Sequence, residues 1–288
     1  MVRIMHPLKK IKSRLEGRIP EDIIDNLPTG WYKIGEAVIL DLSSISKNYR
    51  NEVAEAYMKV LNGKSVLNKS HISGEYRKPN FNHIIGEKNP VVEHKENGVT
   101  YNFNPRKIMF SPSNESERKR MKNKKIETEE TLVDMFAGVG HLSIPLTLGP
   151  NQKNKGIVEL HAIEKNEYTY KFLNKSIKSN NINNYYTYNL DCRKFPKQDF
   201  ADRILMGYVR KTHHYLEEAF KIIKPIGTIH YHETVPEKIM YKRPIKRLKR
   251  IAAQKKYRIK DYNIEIVKKY SPGVWHVVVD ANVEKKSN

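Results

Sequence analysis

Residues 131–148 read TLVDMFAGVGHLSIPLTL, and the change of period inside them decides the fold. Thr131 to Phe136 is an apolar run of strand length, Ala137-Gly138-Val139-Gly140 is a turn, and His141 to Leu148 has helical spacing. The same alternation continues toward the carboxyl side. Ile157 to Ile163 (IVELHAI) predicts a second strand and Tyr168 to Asn180 a helix. Tyr185 to Leu190 predicts a third strand, and Asp202 to Met206 (DRILM) a fourth before a helical Tyr215 to Lys224. Gly227 to His232 (GTIHYH) predicts a fifth strand and Ile245 to Lys256 a further helix. Ile264 to Lys269 and Val274 to Val279 have no long helix between them and should pair as an antiparallel hairpin. Strands alternating with helices predict an α/β fold, a doubly wound Rossmann-type sheet ending in that hairpin.

The amino-terminal side reads differently. Glu115 to Glu130 (ESERKRMKNKKIETEE) is so charged that it predicts an exposed helix and linker. Before it, Ile34 to Leu42 reads as a buried strand or strand-turn, and Asn48 to Leu61 has helical apolar spacing. Residues 89–94 and 99–103 flank Lys95-Glu96-Asn97-Gly98, where Asn-Gly is a strong hairpin signal. No repeat of fixed period is visible. The expected organisation is a small amino-terminal α/β domain over 1–105, in contact with the macromolecular partner, and a larger ligand-binding domain over 106–288.

The chain has 288 residues with 53 Lys plus Arg against 32 Asp plus Glu, a formal charge of +21. A surplus of this size attracts polyanions and releases their counterions, so nucleic acid is the expected partner and an anionic membrane surface the weaker rival. Lys9, Lys10, Lys12 and Arg14 interleave with Leu8, Ile11 and Leu15 in a basic amphipathic pattern of the kind that docks on its own domain. No stretch approaches the roughly 20 apolar residues that span a bilayer, and the opening residues lack an apolar segment before a cleavage site. The one cysteine, Cys192, excludes an intramolecular disulfide or a Cys-based cluster within one chain. A cytoplasmic location is expected.

In a doubly wound sheet a ligand lies at the carboxyl ends of the strands. Asp134, Phe136, Gly138 and Gly140 form a D-x-F-x-G-x-G turn there, with Ser143 where a dinucleotide fingerprint has its third glycine. Glu164, ending the next strand, is placed to accept both ribose hydroxyls, and Asp191, ending the third, lies where an adenine amine is expected. Three acidic strand ends and a glycine turn suit a nucleoside-bearing ligand and suit pyrophosphate poorly. S-adenosylmethionine, cationic and without phosphate, fits this electrostatics. Tyr208, in Met206-Gly207-Tyr208-Val209 after the fourth strand, can stack on a flat heterocycle.

His230 and His232 share one strand face, but without a third ligand they read as a hydrogen-bonding pair near the substrate mouth, and no metal site is expected. His213-His214 reads as a surface pair at the start of a helix. In Lys238 to Arg258, Ile245, Leu248, Ile251 and Ala252 mark a buried helix face, while Lys242, Arg243, Lys246, Arg247, Lys249 and Arg250 can meet phosphates.

Six stretches together resemble the archaeal tRNA wybutosine-synthesizing protein 2 family: MFSPSNESERKRM (109–121), DMFAGVGHLSIPL (134–146), AIEKNEYTYKFL (162–173), ADRILMGYV (201–209), IHYHETVPEK (229–238) and SPGVWHVVVD (271–280). The resemblance implies a class I methyltransferase-like fold related to the tRNA guanine-N1 methyltransferases. It also implies transfer of the 3-amino-3-carboxypropyl group of S-adenosylmethionine to a ring carbon of 4-demethylwyosine, beside the anticodon of phenylalanine tRNA, with methylthioadenosine released. The family's cofactor contacts carry over to Ser111, Arg118, Glu164, Asp191 and its successor Cys192, where asparagine is expected. Arg118 is the expected partner of the cofactor carboxylate, since its planar fork suits bidentate pairing. The sibling methyltransferases carry an Asn- or Asp-Pro motif whose polar groups accept from the target nitrogen. Gly207-Tyr208-Val209 has neither the amide or carboxylate nor the proline. A general base is not identifiable, with His141, Tyr208, His230 and His232 as candidates. The alternatives are a tRNA guanine-N1 methyltransferase or a noncatalytic tRNA-binding protein.

Overall fold

The computed structural model describes residues 6–69, 72–73, 78–79, 81–126, 129–149 and 158–287. Ile157 of the expected second strand and Glu127-Thr128 of the expected linker lie outside the described residues. The chain divides into two compact units, Met1–Lys95 with Thr100–Phe110, and Glu96–Val99 with Ser111–Asn288.

The first unit contains α1 (Pro7–Leu15), α2 (Glu21–Asp25), β1 (Trp31–Ile34), β2 (Ala37–Leu40), α3 (Arg50–Val60) and β3 (Ser65–Asn68). After these come β4 (Ile72–Ser73), β5 (Lys78–Pro79), β6 (Asn82–Gly86), β7 (Val92–Glu96) and β8 (Val99–Phe103). A four-stranded sheet runs β1-β2-β3-β6, with β2 and β3 parallel. The apolar run over 34–42 is broken by Gly35, which turns at φ 54° between β1 and β2. Ile11 and Leu15 of the basic α1 are fully buried in one cluster with Val53, Ala54 and Tyr57 of α3, so this amphipathic helix docks on its own unit. β7 and β8 pair across Asn97 (φ 51°) and Gly98 (φ 73°), two left-handed residues as the short hairpin turn requires.

The second unit begins with α4 (Glu115–Lys122), β9 (Glu130–Asp134), α5 (Ser143–Thr147), β10 (Val158–Ile163), α6 (Glu167–Ser179), β11 (Tyr185–Tyr188) and β12 (Ala201–Met206). It continues through α7 (Leu216–Ile222), β13 (Ile223–Pro236), α8 (Arg243–Gln254), β14 (Tyr257–Ser271) and β15 (Val274–Lys285). Its sheet runs β11-β10-β9-β12-β13-β15-β14, parallel through β13 and antiparallel at β15 and β14. The strand order reverses between β9 and β12, and the ends of those two strands form the switch-point crevice. Leu132, Val133, Ala162, Ile204, Leu205 and Met206 have no exposed surface, which is why the central strands read as apolar runs without alternation.

Besides the longer reach of the two terminal strands, β14 and β15, three elements differ from the sequence expectation. The charged segment is not simply exposed: α4 buries Glu117, Arg118 and Met121, because its charges meet buried partners. The first helix after the glycine turn is short, Ser143–Thr147 rather than 141–148. The fifth strand is long, since α7 ends at Ile222 and the chain passes directly into β13.

Candidate active site

The turn after β9 is built by backbone demands. Gly138 and Gly140 have φ of 59° and 87°, a region that L side chains avoid. A Cβ on Gly138 would meet the His141 ring at 2.8 Å, and one on Gly140 the Ile144 Cδ1 at 2.4 Å. The glycines therefore serve conformation and close packing of the turn on its own helix, besides leaving the backbone bare. The Ala137 amide donates to the Ile163 carbonyl at 2.9 Å and the Met135 amide to Leu205 at 3.0 Å, tying the turn to both neighbouring strands.

Asp134 is 1% exposed and accepts the Phe136 amide at 3.1 Å. Burial pushes its carboxyl up to about 7, against the Ser143 and Phe136 donors that pull it down. Glu164 accepts the Gly138 amide on Oε2 (2.9 Å) and the Asn166 amide on Oε1 (2.7 Å), so one carboxylate spans the two strand-end turns. Burial raises its pKa and these two amides oppose the rise. Each oxygen keeps a lone pair for a ribose hydroxyl. Asn166 was not anticipated: it caps α6 by accepting the Thr169 amide at 3.0 Å. Asp191 holds Arg193 in a bidentate pair (2.8 and 2.6 Å) that keeps its carboxyl well below the usual range. Cys192 is buried, and burial pushes its thiol up to about 12, so its side chain is an inert apolar group just after Asp191.

Aromatic rings converge on the switch point. Phe136, after β9, stacks on Tyr208, after β12, with centroids 5.2 Å apart and planes 18° apart. Tyr215 meets both rings edge-on, and Arg193 lies 5.3 Å over Tyr215. Tyr215 was missed in the sequence because Thr-His-His-Tyr has no distinguishing pattern. The turn carrying Tyr208 is held by Val209, which is buried at φ 76°, an outlying conformation for a β-branched residue. Its carbonyl accepts the Thr234 amide of β13 at 3.1 Å.

Arg118 does not extend into open space. Its Nε and Nη2 donate to the two Glu96 oxygens at 2.5 and 2.6 Å, and Nη1 donates to the Ser111 carbonyl at 3.0 Å. The carboxylate that Arg118 holds in bidentate fashion here is that of the hairpin residue Glu96, a contact across 22 positions that no local pattern reveals. Ser111 Oγ lies 2.9 Å from Ser113 Oγ, and the Lys268 ammonium donates to both, at 3.0 and 2.8 Å.

The histidines separate. His141 is half-buried beside Gly138. His230 is buried, between Asp280 (2.5 Å) and Arg203 (2.8 Å). His232 pairs with His276 at 3.0 Å, and burial depresses it to about 3, leaving a neutral ring inside the sheet packing rather than at the mouth. His213, against the His214 ring at the start of the 3-10 turn before α7, is lowered to about 4, chiefly by burial. Among the described residues no group of three or more metal-ligating side chains converges. On α8, Lys242, Lys246, Lys249 and Arg250 face outward. Arg243 and Arg247 instead turn onto the buried Glu233 Oε1 at 2.7 and 2.5 Å, because that carboxylate needs counter-charge.

A carboxylate bridging two strand-end turns, an acidic end on the third strand and an aromatic pair suited to a cation fit S-adenosylmethionine without its being present. Fold and site together define an S-adenosylmethionine-dependent transferase of the Rossmann type. A family model described as the TRM5/TYW2 methyltransferase domain matches residues 92–260, and one described as the TYW2 N-terminal domain matches residues 11–89. The chain belongs to the TYW2 family. The tRNA(Phe) (4-demethylwyosine(37)-C(7)) aminocarboxypropyltransferase of Pyrococcus horikoshii is 43% identical over 277 residues, 96% of this chain and 97% of that protein. The crystal structure of P. horikoshii TYW2 in complex with MeSAdo superposes with a TM-score of 0.87 at 40% identity, covering 97% of this chain and all of that one. That of M. jannaschii TYW2 in complex with AdoMet gives 0.72 at 39% identity, covering 89% of this chain and all of that one.

Proposed function

We propose that this chain transfers the 3-amino-3-carboxypropyl group of S-adenosylmethionine to C7 of 4-demethylwyosine at position 37 of phenylalanine tRNA, in the cytoplasm. The observation that carries the reading is the turn after β12. Gly207-Tyr208-Val209 offers no side-chain amide or carboxylate to accept from a target nitrogen and instead presents a tyrosine whose ring packs against Phe136 and Tyr215. Family membership over the length of the chain supports the same choice over the methyltransferase sibling.

Bound S-adenosylmethionine supplies a carbon made electrophilic by a cationic sulfur that departs as neutral methylthioadenosine. Glu164 receives the ribose hydroxyls while keeping the glycine turn in place. Asp191, already charge-balanced by Arg193, lies on the adenine side. Asp134 acts beneath the turn by holding the Phe136 amide. Phe136 and Tyr208 would lie toward the cationic sulfur, and the Tyr208 ring would stack on the tricyclic base. This is catalysis by positioning, since the methylene presented in line with the base carbon is the one that reacts. For the proton lost from C7, His141 and Tyr208 remain the candidate acceptors, while His232 is withdrawn by burial. Lys242, Lys246 and Arg250 on α8 meet tRNA phosphates, placing the anticodon loop without reading sequence.

The test is incubation with precursor tRNA and S-adenosylmethionine labelled either on the carboxyl carbon or on the methyl. Carboxyl label alone in the RNA is the expected result. Methyl label alone makes the protein a methyltransferase, and neither label on a competent tRNA makes it a binding protein.

A further inference from the structure

Between β13 and α8 the chain crosses the carboxyl end of the sheet as Glu237-Lys238-Ile239-Met240-Tyr241-Lys242, a 3-10 turn over Glu237–Ile239 and the residues that lead into the helix. Ile239 is 38% exposed and Tyr241 55% exposed, two large apolar side chains left to solvent in one short stretch. Apolar residues exposed singly need no explanation, but a neighbouring pair does. Lys238 and Lys242, both exposed, flank the pair in sequence. The backbone here is pinned: the Glu237 amide donates to the Gly273 carbonyl at 2.9 Å, the Lys242 amide to the Ile239 carbonyl at 3.0 Å, and Arg243 Nη2 to the Thr234 carbonyl at 2.6 Å. A segment held in this way has little freedom left to lose when something binds on it.

Thr234 ties this segment to the crevice. Its amide donates to the Val209 carbonyl at 3.1 Å, in the turn that carries Tyr208, and its own carbonyl receives Arg243, two residues beyond Tyr241. Ile239 and Tyr241 therefore border the end of the sheet where the target base is proposed to stack on Tyr208. An enzyme that acts on a ring carbon of a base in a tRNA loop takes that base out of its stack, and the nucleotide beside it loses a neighbour on one face. Unpaired bases stack on exposed aromatic rings, and cations beside the ring meet the phosphates that accompany them. Lys238 and Lys242 supply that charge, with Glu237 as the one acid of the segment, in a chain of net charge +21. Two lysines beside two apolar side chains suit a polyanion with flat apolar faces. They suit an apolar protein surface poorly, since docking there would strip both ammonium groups of water without a partner.

We infer that Tyr241 and Ile239 form a platform on which a nucleotide adjacent to the target base stacks, with Lys238 and Lys242 on its phosphates. This rests on the proposed action on a tRNA base. The platform holds the displaced neighbour apart from the target, so it stabilises the opened loop and with it the base in the crevice. It differs in kind from Lys246 and Arg250 further along α8, which meet phosphates alone.

The experiment measures binding of wild-type protein, Tyr241→Ala and Tyr241→Phe to precursor tRNA and to two versions of it, abasic at the nucleotide before or after the target, over a range of salt. S-adenosylmethionine affinity of each protein is measured alongside. Tyr241→Ala should weaken intact tRNA about tenfold at every salt concentration, the loss of one base stack, while Tyr241→Phe stays within about twofold of wild type. On one of the abasic tRNAs, wild type and Tyr241→Ala should bind alike. Undiminished binding of intact tRNA by Tyr241→Ala would overturn the inference, as would an equal loss on all three RNAs. A parallel loss of S-adenosylmethionine affinity would mark a structural role, and a loss in Tyr241→Phe as large as in Tyr241→Ala would assign the contact to the hydroxyl; either overturns stacking. Failure of the wild-type protein to bind any of the RNAs would instead overturn the tRNA reading itself.

Discussion

Glu164 accepts the Gly138 and Asn166 amides and is the residue proposed to receive the ribose hydroxyls. Glu164→Ala should weaken S-adenosylmethionine by about 1–3 kcal/mol, measured by calorimetry. An unchanged dissociation constant removes it from the site. Asp134 gives a pH signature. Its carboxyl is raised by burial to about 7 in the folded protein, so below that value the folded state binds more protons than the unfolded one. The contribution to stability is full below the ordinary carboxylate range and is lost as pH rises through about 7. Asp134→Asn can still accept the Phe136 amide but does not titrate. The variant's melting temperature relative to wild type should therefore rise between about pH 5 and about pH 8, and a constant difference would contradict the assignment. At this scale the strand-end acids were legible in the sequence because their positions follow from strand lengths. The partners of Arg118 and of Arg243 were not, because side-chain pairing across 22 or 10 positions depends on tertiary placement.

The helix α8 separates two kinds of basic residue that look alike in sequence. Arg243 and Arg247 neutralise the buried Glu233, which also accepts from Tyr231, and their joint replacement by Met should cost about 3–5 kcal/mol of stability by leaving that carboxylate unpaired. Lys242, Lys246 and Arg250 face outward. Their replacement by Glu should lower tRNA affinity while leaving the melting temperature and S-adenosylmethionine affinity within error; unchanged RNA binding would move the interface elsewhere. The apolar spacing of Ile245, Leu248, Ile251 and Ala252 marked the buried face of this helix correctly. It carries no information on which flanking arginines bend inward, because a long side chain on the boundary can reach either way. The same reasoning covers α4, where charge density suggested exposure and buried counter-ions decided otherwise.

At the scale of the molecule, a charge of +21 makes a prediction separable from the site. tRNA affinity should fall steeply as salt rises, with a logarithmic slope of about −0.7 per phosphate neutralised in single-stranded contacts. S-adenosylmethionine affinity should change little over the same range, and a flat dependence for tRNA would refute the electrostatic interface. The doubly wound sheet and the terminal hairpin were both readable, the first from strand and helix alternation and the second from the missing helix between 269 and 274, whereas the order β11-β10-β9-β12-β13 depends on pairing that no local pattern carries. The full reach of β13, β14 and β15 was not readable, since their outer parts are largely exposed or half-buried and carry polar residues that resemble loop.

β15 lies between β13 and β14, so β14 is joined to the sheet only through a strand that follows it in the chain. A ribosome makes Lys268 before it makes the strand that anchors Lys268. During translation the central parallel strands can assemble while β14 waits, and the turn at Ser111 stays without its ammonium until residues 274–285 have emerged. The Ser111 turn and its lysine therefore meet only after the last strand of the chain has been made and has closed the sheet.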